Sequence, residues 1–211
     1  MIAPLAEAVR LAAVYDAAED ETRTSGRAWY ALAAREAEAM AADYGTTAEA
    51  AAGVVAALSP RMAWHKNLDA AARVLRAAAA GAEAPPRVGL GDATRKAWRI
   101  ARGEAPLDAL GGDKVRAFYR AIAGDAEAVT IDVHAARAAR GTSDGRPPST
   151  TREYERLAAA YTVAARACDE TPRDFQAIIW QAERGIREDA RYYTLARRQL
   201  SFDELNTTTA A

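Results

Sequence analysis

Apolar residues recur three and four positions apart along almost the whole of this chain, and nowhere do they alternate long enough to make a useful strand. That pattern restricts the fold to packed helices. Pro4 fits the first turn of a helix carrying Leu5, Val9, Ala12 and Tyr15 on one face, which fades at Glu19-Asp20-Glu21. A second helix is expected from about Arg27 to Asp43, with Trp29, Leu32, Ala33, Glu36 and Met40 at helical spacing, and a third from near Thr47 to Leu58. Ser59-Pro60 reads as an N-cap with proline at the first helical position, opening a helix through Arg61, Met62, Trp64 and His65 that continues to Gly81. Pro85-Pro86 and Gly89 make a loop, and Asp92 is placed to cap a short basic helix ending before Gly103. A glycine turn at Leu110-Gly111-Gly112 then separates a short apolar helix from one bearing Val115, Phe118 and Ile122. Val129 to Val133 has the composition of a short strand but no partner, and it leads into a helix from Ala135 to Arg140. After the loop at 141–149, Thr150 with Glu153 forms a capping-box pattern, and Thr171-Pro172 opens a last helix with Phe175, Ile178, Ile179 and Ala182 as its apolar stripe. The expected fold is all-α, with about nine or ten helices.

Composition narrows the function classes. The 28 basic and 29 acidic residues nearly cancel, to a net charge of −1, and half the residues are apolar, enough for one substantial core. Alanine, about a quarter of the chain, favours helix. A single cysteine, Cys168, excludes a disulfide framework, a four-thiolate zinc site and a cysteine-ligated iron–sulfur cluster. No apolar run reaches the ~18 residues of a membrane span, and the first residues lack the pattern of a secretory signal. The expectation is a cytoplasmic, monomeric protein off the membrane, with no cofactor; histidine and carboxylate spacings offer no metal site either.

The segment from Leu110 to Gly141 carries the chemistry. A glycine turn before a helix exposes successive backbone N–H groups beside the positive end of the helix dipole, a device that holds a DNA phosphate without reading sequence. Asp132 follows Lys114 by 18 positions, one helix away, so amine and carboxylate can meet at one cleft. From Arg87 to Arg120, eight basic residues face four acids, a local excess suited to a phosphate backbone. Each residue also has a plainer role: Asp132 as an N-cap, Lys114 as a solvated or phosphate-binding cation, His134 as a structural hydrogen-bonding residue, and Trp29, Trp98 and Trp180 as core.

Ile131-Asp132-Val133-His134, with Lys114 at that spacing, resembles the helix–hairpin–helix DNA glycosylase superfamily, the endonuclease III and adenine-glycosylase group. The resemblance extends through Ala57-Leu58-Ser59-Pro60-Arg61 to Asn67, through Ala70 to Leu75, and through Lys96-Ala97 with Ile100. It covers roughly residues 50–141 and includes small phage and bacterial relatives, some of which hypermodify thymine. The chain departs from the family in its hairpin, which lacks the usual proline and is two residues shorter before the lysine, and in having no cluster-binding cysteines.

The resemblance implies one glycosylase-like unit over 1–211, with a core lobe at 47–141, a second lobe from 1–46 and 142–211, and an active-site cleft between them. It implies double-stranded DNA as partner, base flipping, and hydrolysis of an N-glycosidic bond in repair or in defence against phages with modified DNA. Asp132 would assist cleavage and Lys114 could attack C1′ to form a Schiff base. Gly111, Gly112, Arg116, Arg61 and Lys96 would hold DNA, with Arg61 or Met62 as the wedge that fills the vacated stack. Met62, Trp64 and His65 would line the base pocket. Three rivals stay open: a base-hypermodification transferase on the same scaffold, a non-catalytic helix–hairpin–helix DNA-binding module, and a helical protein-interaction domain.

Overall fold

A computed structural model describes residues 4–143 and 145–184. Among them are ten α-helices and no strand: α1 (Leu5–Ala17), α2 (Asp20–Tyr44), α3 (Ala48–Leu58), α4 (Trp64–Ala79), α5 (Gly91–Ala101), α6 (Pro106–Ala109), α7 (Asp113–Ile122), α8 (Val133–Arg140), α9 (Thr151–Ala167) and α10 (Pro172–Arg184). No helix among the described residues is long and apolar enough to cross a membrane.

The buried side chains form two clusters. The first gathers α2 to α7 around α3, whose residues from Ala51 to Leu58 are all buried because neighbouring helices enclose it. The second joins α1, α8, α9 and α10 around Leu11, Ile131, Leu157, Tyr161 and Phe175. Each such fully buried large side chain contributes roughly 1.5–3 kcal/mol. Helix α10 divides the two, giving Ala177 to the first cluster and Phe175, Ile178 and Ile179 to the second. Its approach to α2 needs Gly26, where a Cβ would lie 2.6 Å from the Ile178 Cα.

The division of the chain differs from the expected 47–141 core. The face of α2 with Trp29, Leu32, Ala33 and Met40 packs in the first cluster, whereas the alanines of α8 pack in the second. The chain passes from one to the other between Ala128 and Val129.

Local departures have local causes. Leu5 and Val9 are 60% and 68% exposed, because α1 buries the face bearing Ala8, Leu11 and Tyr15 instead. Helix α2 begins at Asp20, where Asp20 and Glu21 suit the positive end of the helix dipole. Ser59 ends α3 rather than opening α4: its hydroxyl donates to the Ala56 carbonyl at 2.9 Å, and Arg61 adopts φ +60°, outside any right-handed helix. Asp92 lies inside the first turn of α5 and pairs with Lys96 at 2.7 Å instead of capping. The segment Val129–Ile131 finds a tyrosine where a strand would find a neighbour: the Tyr154 hydroxyl donates to Val129 O at 2.8 Å and accepts from Ile131 N at 3.1 Å. Trp98 is half-buried, with the Arg102 guanidinium 5.7 Å from its ring.

Candidate active-site cleft

A cleft of about 800 Å³ opens where the two clusters meet. Its walls come from α2, the turn between α3 and α4 with the first turn of α4, α7, the segment from Thr130 to His134, and α10. Asp132, Lys114, Arg61, Met62, Trp64 and His65 all line it. Six residues chosen from three separate stretches of sequence therefore share one cavity.

Asp132 is both an N-cap and a cleft residue. Its Oδ1 accepts from the backbone N–H groups of His134 (2.9 Å) and Ala135 (2.8 Å), the capping geometry that starts α8. Its Oδ2 accepts from the Trp180 indole N–H at 3.0 Å. Three donors fix the carboxylate, and the capping role that seemed to compete with a functional one is what aims it. The Arg184 guanidinium lies over the Trp180 ring, 4.5 Å from its centroid, a cation–π contact on the same indole. Lys114, the second residue of α7, faces the same space without forming an ion pair to Asp132.

Aromatic rings supply much of the wall. Trp29 sits among Tyr30, Trp64, Phe118 and Trp180, with ring centroids 4.7, 5.2, 5.8 and 6.2 Å away. All five line the cleft, so Trp29 and Trp180 do more than fill a core. The charged residues on the wall are Arg61, Lys66, Lys114 and Arg184 against the single carboxylate of Asp132.

The chain belongs to a family of unknown function, DUF7178. The family match runs from residue 5 to residue 189 and so spans every residue of the cleft. No curated protein and no solved structure matches the chain.

In this DUF7178 protein His134 also lines the cleft, and its Nδ1 is 2.7 Å from the Arg137 guanidinium. Burial lowers its pKa, Asp132 opposes that shift, and Arg137 adds to it. Since a guanidinium only donates, Nδ1 accepts and the ring proton resides on Nε2.

The remaining predicted residues lie elsewhere. Gly111, Gly112, Arg116 and Lys96 do not line the cleft. Gly112 takes φ +78°, which glycine adopts readily, and it precedes α7 as the turn reading requires. Two of the cations beside the turn are engaged, Lys96 with Asp92 and Arg116 with the Leu107 carbonyl. Asp113 occupies the first turn of α7, where it competes with any phosphate for the helix dipole. Much of the basic excess read from Arg87 to Arg120 is also answered locally, Arg99 by Glu104 and Arg120 by Asp125. Met62 lines the cleft with its Cε against Gly89, 2.9 Å from where a Cβ there would stand. Arg61 is exposed at the tip of the α3–α4 turn.

The sequence reading missed several polar residues of the cleft: Tyr30, Lys66, Thr130, Gln176 and Arg184, with Asn67 as a lining residue. Gln176 carried a signal, a lone amide between Phe175 and Ile178 on the apolar stripe of α10. No group of three or more histidine, cysteine or acidic side chains able to hold a metal ion occurs among the described residues.

Proposed function

We propose that the protein is a DNA glycosylase of the two-lobed helix–hairpin–helix type, which turns a base out of duplex DNA into this cleft and hydrolyses its N-glycosidic bond. The observation that carries the reading is one carboxylate, clamped by three N–H donors, in an aromatic-walled cleft whose other charged lining residues are all cations. The cavity volume lies in the range that encloses small organic groups. Its rings give a flipped base surfaces to stack on, repaying the few kcal/mol of unstacking. Arg61, Lys66, Lys114 and Arg184 draw in the flanking phosphates, and Arg61 at the strained tip of its turn enters the vacated stack.

In the reaction, the bond from C1′ to the base nitrogen breaks while a water oxygen bonds to C1′. The water loses a proton to solvent and the departing base gains one. Positive charge builds on the sugar in between, and the fixed charge of Asp132 stabilises it without reorganising. If the Lys114 amine replaces water as nucleophile, a Schiff base forms with loss of the base, and strand cleavage can follow.

The test is incubation of the purified protein with duplexes carrying ordinary, damaged and hypermodified bases, scoring alkali-labile abasic sites and released base. Excision that is lost in Asp132→Asn supports the reading. Absence of released base from every duplex overturns it, and a heavier nucleoside in digested DNA would assign the scaffold to base modification. Borohydride trapping of a protein–DNA adduct separates attack by Lys114 from attack by water.

A further inference from the structure

The cleft holds two carboxamides pinned in opposite senses. Gln176 is 3% exposed, and its Oε1 lies 2.9 Å from the Tyr30 hydroxyl, which is also 3.1 Å from Thr130 Oγ1. Tyr30 has one proton. When it goes to the amide oxygen, the Thr130 hydroxyl becomes the donor in the second bond, and the relay leaves the Gln176 NH₂ unused. Burial raises the Tyr30 pKa, which keeps that proton in place. Asn67 is the converse case: 1% exposed, its NH₂ donates to the Val55 carbonyl at 3.0 Å, and its Oδ1 has no partner. Trp29 adds a second unpartnered donor, its indole N–H, at 8% exposure. All three residues line the same cleft, among the rings around Trp29.

Buried polar groups are rarely left unpaired, and those that are point to a missing partner. Here the buried groups without a partner are the Trp29 donor and the Asn67 acceptor, and the Gln176 NH₂, to which the relay gives no partner, lies on the same cleft. Their complement is a planar ring bearing a carbonyl and a ring N–H. We propose that the cleft selects a lactam-bearing nucleobase, with Gln176 donating to the carbonyl oxygen and Asn67 accepting from the ring N–H. Held in the same orientation, adenine presents an amino donor to the Gln176 NH₂ and a ring nitrogen acceptor to Asn67 Oδ1, so in that pose both contacts are lost. This assigns the substrate class of the proposed glycosylase and rests on the same cleft, but it is a statement about binding and can fail or stand separately from excision.

The test uses free hypoxanthine and adenine, purines of equal size that stack alike and differ in this edge. Titration of each into the full-length protein, followed by tryptophan fluorescence, reads the cleft directly, since Trp29, Trp64 and Trp180 line it. Hypoxanthine is expected to bind at least tenfold more tightly than adenine. Gln176→Glu keeps the shape and the bond from Tyr30 but removes the donor, so it should erase that preference while leaving the circular dichroism spectrum unchanged. Equal affinities, a preference for adenine, or an undiminished preference in Gln176→Glu would each overturn the proposal. Hypoxanthine preference with no excision from any duplex keeps the lactam site and removes the glycosylase. Excision of adenine does the reverse. Should Gln176→Glu fail to fold, uracil against cytosine in the unaltered protein poses the same choice of edge, and equal binding of that pair also overturns the proposal.

Discussion

The glycine turn at Leu110–Gly112 and the segment Thr130–Ala135 come from the same functional-looking stretch, yet only the second reaches the cleft. Around the turn, two cations meet local partners, Lys96 with Asp92 and Arg116 with a backbone carbonyl, and the helix dipole has Asp113; Lys114 faces the cleft instead. Around Asp132 the partners are donors that hold a charge in place without cancelling it. Local neutralisation makes a sound helix turn; local clamping makes an uncompensated charge available to a ligand. The largest expected effect follows from breaking the clamp at its centre. Asp132→Asn keeps an oxygen for the two backbone amides of α8 but removes the charge and turns an NH₂ toward the Trp180 N–H. Excision should fall by about 10²–10³-fold, and thermal melting should show a loss of roughly 1–3 kcal/mol for the facing donors. Unchanged excision by this variant would place the chemistry elsewhere.

Trp180→Phe sharpens the same comparison from the other side. A smaller aromatic ring is kept beside Trp29, while the N–H donor to Oδ2 is lost. A hydrogen bond to a charged group is worth about 1.5–3 kcal/mol, so kcat should drop about tenfold or more with little change in KM. A change in KM alone would make Trp180 a base-stacking surface and not a positioning residue. The next contrast is between cations. Lys114→Ala should weaken duplex binding several-fold and lower the salt slope by about one, measured by fluorescence anisotropy at several salt concentrations. Lys96→Ala and Arg116→Ala, whose cations are already engaged, should change affinity by less than about twofold. Equal losses at all three would restore the turn as a DNA-binding element.

The helices were legible because their apolar spacing and several caps are local properties: Thr47, Asp132 and Thr150 all cap as their residue types favour. Asp132 and Lys114 were legible because a carboxylate at a helix start and a rare lysine stand out in this background. The chain's division between two clusters was not legible, since the alanines of α8 and the apolar face of α2 have similar composition and differ only in what packs on them. Ser59-Pro60 misled because the cap signature is necessary and not sufficient; Arg61 at φ +60° delays α4 to Trp64. The relay from Thr130 through Tyr30 to Gln176 joins positions about 100 and 146 residues apart from Tyr30, which no local pattern contains. Trp180 was assigned to the core for the same reason, since its bond to Asp132 spans 48 residues.

The smallest effect concerns the far end of α8, where charge is cancelled as it is at the glycine turn. Glu153 accepts from the Ser149 backbone N–H at 2.9 Å and pairs with Arg140, from the last turn of α8, at 2.7 Å. That backbone bond first, then Arg140, lowers the Glu153 pKa to about 2, with Ser149 and Arg146 adding to the shift. A carboxylate depressed in the folded state stabilises it fully above its unfolded pKa of ~4.3 and loses that contribution as pH falls toward the folded value. The stabilising contribution should therefore disappear between roughly pH 4.5 and pH 2. Solvent reaches this network, so its size is about 1 kcal/mol or less. Glu153→Gln should lower the Tm slightly at neutral pH and leave it unchanged relative to the parent near pH 2, as followed by circular dichroism. Because the pair lies at the opposite end of α8 from Asp132, the variant should excise base at the parent rate at pH 7. A fall in excision matching that of Trp180→Phe would mean that the carboxylate is aimed by the whole helix and not by the three donors at its start.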